Sequence, residues 1–184
     1  MMPVPIGLLD GHTWLRVAKV SWLDPLDTGH AKRNGGRWNP PQSHATLYLN
    51  EDLTTARAQL PRMLDGYPAT PEDLDDEFIL VRATLPSGQV VADAVTDEGL
   101  DALGLPSSYP TYANGRPVRH TACQPIGASV AAQGLRGVRA RSAATEDRSG
   151  RELAWFPARP SSKATQVGDP LPLHQWWDAD PSDR

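Results

Sequence analysis

The stretch GGRWNPPQSHATLYLNEDLTTARAQL, residues 35–60, decides how this chain is read. It opens on two glycines, which permit backbone angles that other residues resist and let a ligand approach the main chain. Arg37 then offers a planar, permanently charged fork that suits a phosphate or a carboxylate. The competing reading is an ordinary turn with a solvated arginine. Residues 45–49 (ATLYL) predict a strand. Asn50 is the expected N-cap of a helix with Glu51 and Asp52 in its first turn, running to about Leu60 and ending before Pro61. Glycine turn, strand and helix together form the layout of a nucleotide or anion site, yet the helix carries an amide, Gln59, where a carboxylate would be sought. Glu51 is no obvious replacement, because it lies about 12 Å away along the helix axis.

Working outward, residues 13–17 (TWLRV) predict a first strand bearing Arg16. Arg16 sits either on the solvent face or inside beside an anion, since burying it unpaired is costly. Tyr48 alternates with Leu47 and Leu49, so its ring faces the other way and either walls a pocket or fills the core. Residues 24–36 read as a loop ending in a basic run, and residues 64–76 as a Pro- and Asp-rich connection. Residues 77–85 and 89–93 are apolar runs parted by Pro86-Ser87-Gly88, which predicts a hairpin. Thr96 or Asp97 caps a short helix through Leu103, residues 105–121 are mostly loop, and residues 125–133 predict a helix stopped by Gly134.

Residues 135–140 and 152–156 predict two more strands joined by the polar turn ATEDRSGR. Alternation puts Arg139 and Arg141 on one face, and Val138, Ala140 and Ser142 on the other, toward core or pocket. No G-x-S-x-G is present and no His or Asp stands in a triad context, so Ser142 reads as a hydrogen-bonding serine rather than a nucleophile. The residues from 159 to 184 form a Pro-, Ser- and Asp-rich extended tail with Trp176-Trp177 as its anchor. Strands mixed with a few short helices, in no regular alternation, predict a single α+β domain with a mixed or antiparallel sheet.

The composition narrows the function. A chain of 184 residues suits one core, and 18 prolines with 15 glycines favour short elements and loops over a helical bundle. The net charge of -4 argues against nucleic acid or an anionic membrane as the main partner. A single cysteine, Cys123, excludes an intramolecular disulfide and reads as a small, partly buried residue. Without a second cysteine or paired histidines no metal site is expected. The N-terminus has neither a basic leader nor a long apolar run, so a cytoplasmic protein is expected.

Three segments resemble the RES domain family, named for an arginine, a glutamate and a serine. They are LRVAK around Arg16, KRNGGRWNPPQSHATLYLNEDLTTARAQL, and LRGVRARSAATEDRSGRELAWFPA around Ser142. The family is the usual toxin half of bacterial toxin–antitoxin pairs with an Xre-like antitoxin. The resemblance implies an NAD-binding domain over residues 1–158, with a fold related to the ADP-ribosyltransferases. It implies cleavage of the nicotinamide–ribose bond of NAD⁺, with water, phosphate or a protein side chain as acceptor, and an antitoxin that covers the pocket. The implied catalytic set is Arg37, Gln59 and Ser142. Arg16, Arg37, Trp38, Tyr48 and Ser142 are the implied NAD-binding set, in which the arginines hold pyrophosphate or ribose, Tyr48 stacks near the nicotinamide and Ser142 orients its ribose or amide.

The chain departs from the family pattern at three places. Gln59 stands at the glutamate, Val17 at a frequent tyrosine, and Arg141 at a frequent proline. An amide keeps the shape and the hydrogen bond of a carboxylate but not its charge. Loss of such an electrostatic partner typically costs about 10²–10³ in rate. Three outcomes therefore stand: a slow NAD-cleaving enzyme, a site supplied with a carboxylate from elsewhere, or a nucleotide- or partner-binding module without turnover.

Overall fold

The computed structural model describes residues 1–64, 74, 77–158 and 163–177. Its elements are β1 (Pro5–Gly7), β2 (Trp14–Lys19), α1 (Gly29–Asn34), β3 (Leu47–Asn50), α2 (Leu53–Leu64), β4 (Phe78–Thr84), β5 (Val90–Ala94) and α3 (Asp97–Ala102). There follow α4 (His120–Ala132), β6 (Gly137–Arg141), β7 (Arg151–Trp155), β8 (Thr165–Gln166), β9 (Leu171–Pro172) and α5 (Leu173–Trp176). The strands join in the order β1-β5-β6-β7-β3-β2-β4-β8, with β9 also paired to β4. The pair β5–β6 is parallel and its neighbours β1–β5 and β6–β7 are antiparallel. A parallel pair needs a long crossover, and the segment containing α3 and α4 provides it. The fold is α+β, a single domain on a mixed sheet.

Register sorts the side chains. Across β3–β7, Tyr48 opposes Ala154 and Asn50 opposes Glu152; across β6–β7, Val138 opposes Ala154 and Ala140 opposes Glu152. Opposed residues share a face, so these six line one side of the sheet. α3 and α4 cover part of that side with Leu100, Leu103, Cys123, Ile126 and Val130. The other side presents Leu47, Leu49, Leu153 and Trp155, which pack with Val81 and Ala83 of β4 and Val91 of β5. Because β4 and β5 stand far apart in the strand order, the sheet must curl until its two arms share this core. A third cluster seats α2 and α5 on β2 and β4 through Ala56, Leu60, Phe78, Leu80 and Trp176.

This curl overturns the expected hairpin of residues 77–85 and 89–93. β4 pairs along its length with β2, while β5 pairs with β1 and β6. A turn between two apolar runs looks the same in sequence whether the strands bond to each other or face each other across a core; Val81, Ala83 and Val91 do the latter. The helix expected over residues 51–60 is also shifted. Asp52, not Asn50, caps it, accepting the Thr55 N–H at 2.7 Å, and Asn50 ends β3. α2 continues through Pro61 because Leu60, Met63 and Leu64 all pack into the third cluster, which offsets the lost helical bond.

Packing likewise starts α4 at His120 instead of residue 125, with Pro125 inside it and Cys123, Ile126 and Gly127 buried. The basic run placed in a loop forms α1, whose buried anchor is supplied from outside the helix, as described below. In the stretch expected to be an extended tail, β8 and β9 bond to β4 and Trp176 is buried. Residues 65–73 and 75–76 of the expected connection, and 159–162 and 178–184 of the tail, lie outside the described residues. Among the described residues no helix is long and apolar enough to cross a membrane.

The two glycines of the loop before β3 have separate reasons. Gly35 has φ +77°, in the left-handed region, and a Cβ on Gly36 would stand 2.4 Å from the Tyr48 hydroxyl oxygen and 2.7 Å from its ring. Gly36→Ala is therefore expected to push Tyr48 off the loop and destabilise the protein by about 1–3 kcal/mol, which a fall in Tm with unchanged secondary structure by circular dichroism would register.

Candidate active site

The loop that follows α1 is fastened at each residue that matters. The Tyr48 hydroxyl accepts the Trp38 N–H at 2.9 Å and donates to Asn39 Oδ1 at 2.8 Å. Asn39 in turn donates through Nδ2 to the Ala31 carbonyl at 2.7 Å, which supplies α1 with its buried anchor. From α4, Gln124 Nε2 donates to the Gly36 carbonyl at 3.0 Å, and Arg37 Nη1 donates to the Val118 carbonyl at 2.9 Å. Trp38 turns the other way, fully buried against Tyr109 with ring centroids 5.9 Å apart.

A cavity of about 920 Å³ opens beside this loop, lined by residues that include Arg16, Arg37, Tyr48, Asn50, Gln59 and Glu152. Arg16 donates through Nη1 to the Tyr48 carbonyl at 3.1 Å, and its guanidinium lies 5.5 Å over the Trp22 ring. Among the described residues its buried Nε has no hydrogen-bond partner. Burial pulls the guanidinium down to about 10, against the opposing pull of Asp27 and Asp24. Burial also lowers Arg37, but Tyr109, Glu152 and Cys123 outweigh it and leave the group above its ordinary value. Among the described residues neither arginine has a carboxylate within ion-pair distance. His120, at the start of α4, also lines the cavity and is held down by burial and then by Arg37 and Arg62.

Beside Gln59 of α2 stands a carboxylate of β7, Glu152. Glu152 is 8% exposed, and its Oε2 receives Ser142 Oγ–H at 3.2 Å and Gln59 Nε2–H at 3.4 Å. Ser142 is itself pinned by accepting the Ala144 N–H at 3.1 Å. Burial pushes the Glu152 carboxyl up, opposed first by Arg37 and then by Ser142, Arg62 and Gln59. Glu51 is committed elsewhere, in a two-pronged ion pair with Arg139 at 2.7 Å on both arms.

Of the residues singled out in the sequence, Arg16, Arg37, Tyr48 and Gln59 come together on the cavity wall. Ser142 is wholly buried and reaches the cavity through Glu152. Trp38 belongs to the core and does not line the cavity. Arg141 faces away, bonded to the Val95 and Ser107 carbonyls and paired with Asp97. Glu152 was not singled out, although its signal is present: a carboxylate on the same face of the strand RELAW as Ala154, next to Leu153 and Trp155. Among the described residues no cluster of three or more His, Cys, Asp or Glu side chains is arranged to hold a metal ion.

The molecule is thus an α+β domain whose sheet carries an arginine-lined cavity of small-molecule size. The chain belongs to the RES domain family, whose model matches residues 13–176. Its fold is shared by a chain in the crystal structure of the M. tuberculosis MbcT–MbcA toxin–antitoxin complex, with a TM-score of 0.73 over 95% of this chain and 90% of that one, at 21% identity. No curated protein sequence matches it.

The buried acid leaves a pH signature. Because the folded protein holds Glu152 above its unfolded pKa, the unfolded chain loses this proton first as pH rises. The group then subtracts stability, fully so above the folded pKa; below about pH 4 it is neutral in both states and subtracts nothing. Glu152→Gln removes this penalty while keeping the shape. The variant is expected to melt higher than wild type at neutral pH, with the gap closing as pH falls toward 4, as thermal melts across a pH series would record.

Proposed function

We propose that the cavity binds NAD⁺, and that this protein cleaves its nicotinamide–ribose bond as the toxin member of a toxin–antitoxin pair. The observation that carries the reading is Arg16, a guanidinium whose buried Nε has no partner among the described residues and which lines the cavity without an ion pair to a described carboxylate. Such a group costs several kcal/mol unless an anion completes it, and Arg37 adds a second positive charge to the same cavity. A pyrophosphate matches two arginines. The cavity falls within the roughly 300–1,000 Å³ usual for small-molecule sites.

In this reading Arg16 and Arg37 hold the pyrophosphate, and the Tyr48 ring stacks against the nicotinamide. Gln59 hydrogen-bonds the ribose hydroxyls, and Ser142 acts through the carboxylate it holds. The RES family assignment supports NAD as the ligand, the fold shared with a toxin–antitoxin complex supports an antitoxin partner, and the family resemblance suggests an Xre-like one. Trp22 and Leu23 line the cavity yet are 39% and 106% exposed, so a partner laid across them would bury apolar surface and close the entrance together. The proposed setting is cytoplasmic, where NAD⁺ and an antitoxin meet the protein.

Purified protein incubated with NAD⁺ and resolved by HPLC tests this. Nicotinamide and free ADP-ribose are expected in equal amounts from wild type. Arg37→Ala should lose about 2–4 kcal/mol of transition-state stabilisation, or roughly 30- to 1,000-fold in kcat/KM. Tight NAD⁺ binding without release of nicotinamide would reduce the protein to a nucleotide-binding module. ADP-ribose recovered on protein would make it a transferase, and neither binding nor turnover by folded protein would sink the NAD reading.

A further inference from the structure

We infer that Glu152, on β7, is the catalytic carboxylate of this site, supplying from a strand the charge that α2 lacks at Gln59. The inference rests on the NAD reading above and adds to it the residue that stabilises the reacting ribose.

Position is the first ground. Gln59 and Glu152 are 93 residues apart in the chain, yet Gln59 Nε2 meets Glu152 Oε2 at 3.4 Å, and both residues line the cavity. A carboxylate on α2 and one on β7 would therefore occupy the same point of the wall. Two carboxylates in contact cannot both ionise cheaply. An amide at 59 avoids that repulsion and donates an N–H, so the uncharged Gln59 is the partner that an ionised Glu152 requires.

The second ground is how the carboxylate is held. Both protein hydrogen bonds, from Ser142 and Gln59, fall on Oε2. Oε1 has no hydrogen bond to a described residue, yet it is not among the sealed, unpartnered atoms. One oxygen is anchored and the other is left open at the cavity wall. Nor is Glu152 explained as a structural ion pair, because no described cation lies within pairing distance. A buried carboxylate without a pair costs stability, and a cavity-lining one with a free oxygen has a chemical use.

The chemistry needs such an oxygen. When the bond between ribose C1′ and the nicotinamide nitrogen breaks, its electron pair leaves with the nicotinamide, which becomes neutral, and positive charge develops on C1′ and the ring oxygen. Oε1 stabilises that charge and accepts a hydrogen bond from a ribose hydroxyl. Water then forms the new C1′–O bond and gives up a proton, so NAD⁺ and water become nicotinamide, ADP-ribose and H⁺. No further reactant is required.

Steady-state NAD⁺ cleavage by wild type, Glu152→Gln and the exchanged pair Gln59→Glu/Glu152→Gln tests the inference, with a thermal melt of each to confirm folding. Glu152→Gln should lower kcat by at least about 100-fold with KM within threefold, and the exchanged pair should recover at least tenfold of that loss. Wild-type kcat retained in Glu152→Gln would overturn the inference while leaving the NAD reading intact. A loss confined to KM, or an exchanged pair no better than Glu152→Gln, would overturn it too. A wild type that releases no nicotinamide would fail the underlying reading first, and the inference with it.

Discussion

The hydroxyl of Tyr48 is bonded on both sides, to the Trp38 N–H and to Asn39 Oδ1, and much of the site's geometry follows from that clasp. Tyr48 is fixed by the register of β3 against β7, so the clasp transfers the precision of the sheet to an otherwise irregular loop. Trp38, buried among the α3 and α4 side chains, locks the loop from the opposite direction. Arg37 is the residue between these two constraints and has little freedom left once its own Nη1 meets the Val118 carbonyl. Gly36 must lack a side chain because the clasp brings the tyrosine ring against its backbone. A positive fork is thereby preorganised, which spares a bound anion the cost of ordering it.

The clasp lies beside charges that burial disfavours. Burial opposes ionisation of Glu152 and outweighs what keeps Arg16 charged, while at Arg37 the neighbouring groups outweigh burial. Glu51–Arg139 and Arg141–Asp97 are close ion pairs at the surface, whereas the cavity charges are left apart. Pairing Arg37 directly with Glu152 would relieve part of the cost, but it would also neutralise the groups a charged ligand must meet. A cavity that keeps opposite charges separated and poorly solvated retains a strong local field. The site thus trades stability for electrostatic preorganisation.

The sequence made β2 to β7 legible because each combines β-branched or apolar runs with turn residues at its ends, as in FILVRAT and LYLN, whereas the two- and three-residue strands β1, β8 and β9 carry no such run. It made Ser142 legible as an inward residue by simple alternation along β6. What it hid were decisions taken by packing over long distances. Pro61 and Pro125 read as helix boundaries, yet buried Leu60, Cys123 and Ile126 keep both helices going. Pro86-Ser87-Gly88 read as a hairpin turn because the local signal carries no information about which strand lies alongside. The role of Glu152 is hidden for a related reason. Its neighbours in sequence describe a buried strand, and only the pairing of β7 with β3 and β6 shows that its face is the one bearing Tyr48, Asn50 and Ser142.

That pairing also brings α2 and β7 to one point of the cavity wall. α2 leaves β3 after two residues, so the start of the helix is tied to the strand that borders β7. The tie is reinforced directly: the Glu51 N–H donates to the Arg151 carbonyl at 3.0 Å, and the Arg151 N–H to Thr55 Oγ1 at 3.2 Å. The first turns of α2 are thereby fastened to the beginning of β7, which holds Gln59 beside Glu152. With the backbone positions so coupled, what distinguishes the two side chains is charge and desolvation, not reach. A fold shared at 21% identity speaks for the backbone frame alone, and not for which wall of the cavity carries a carboxylate.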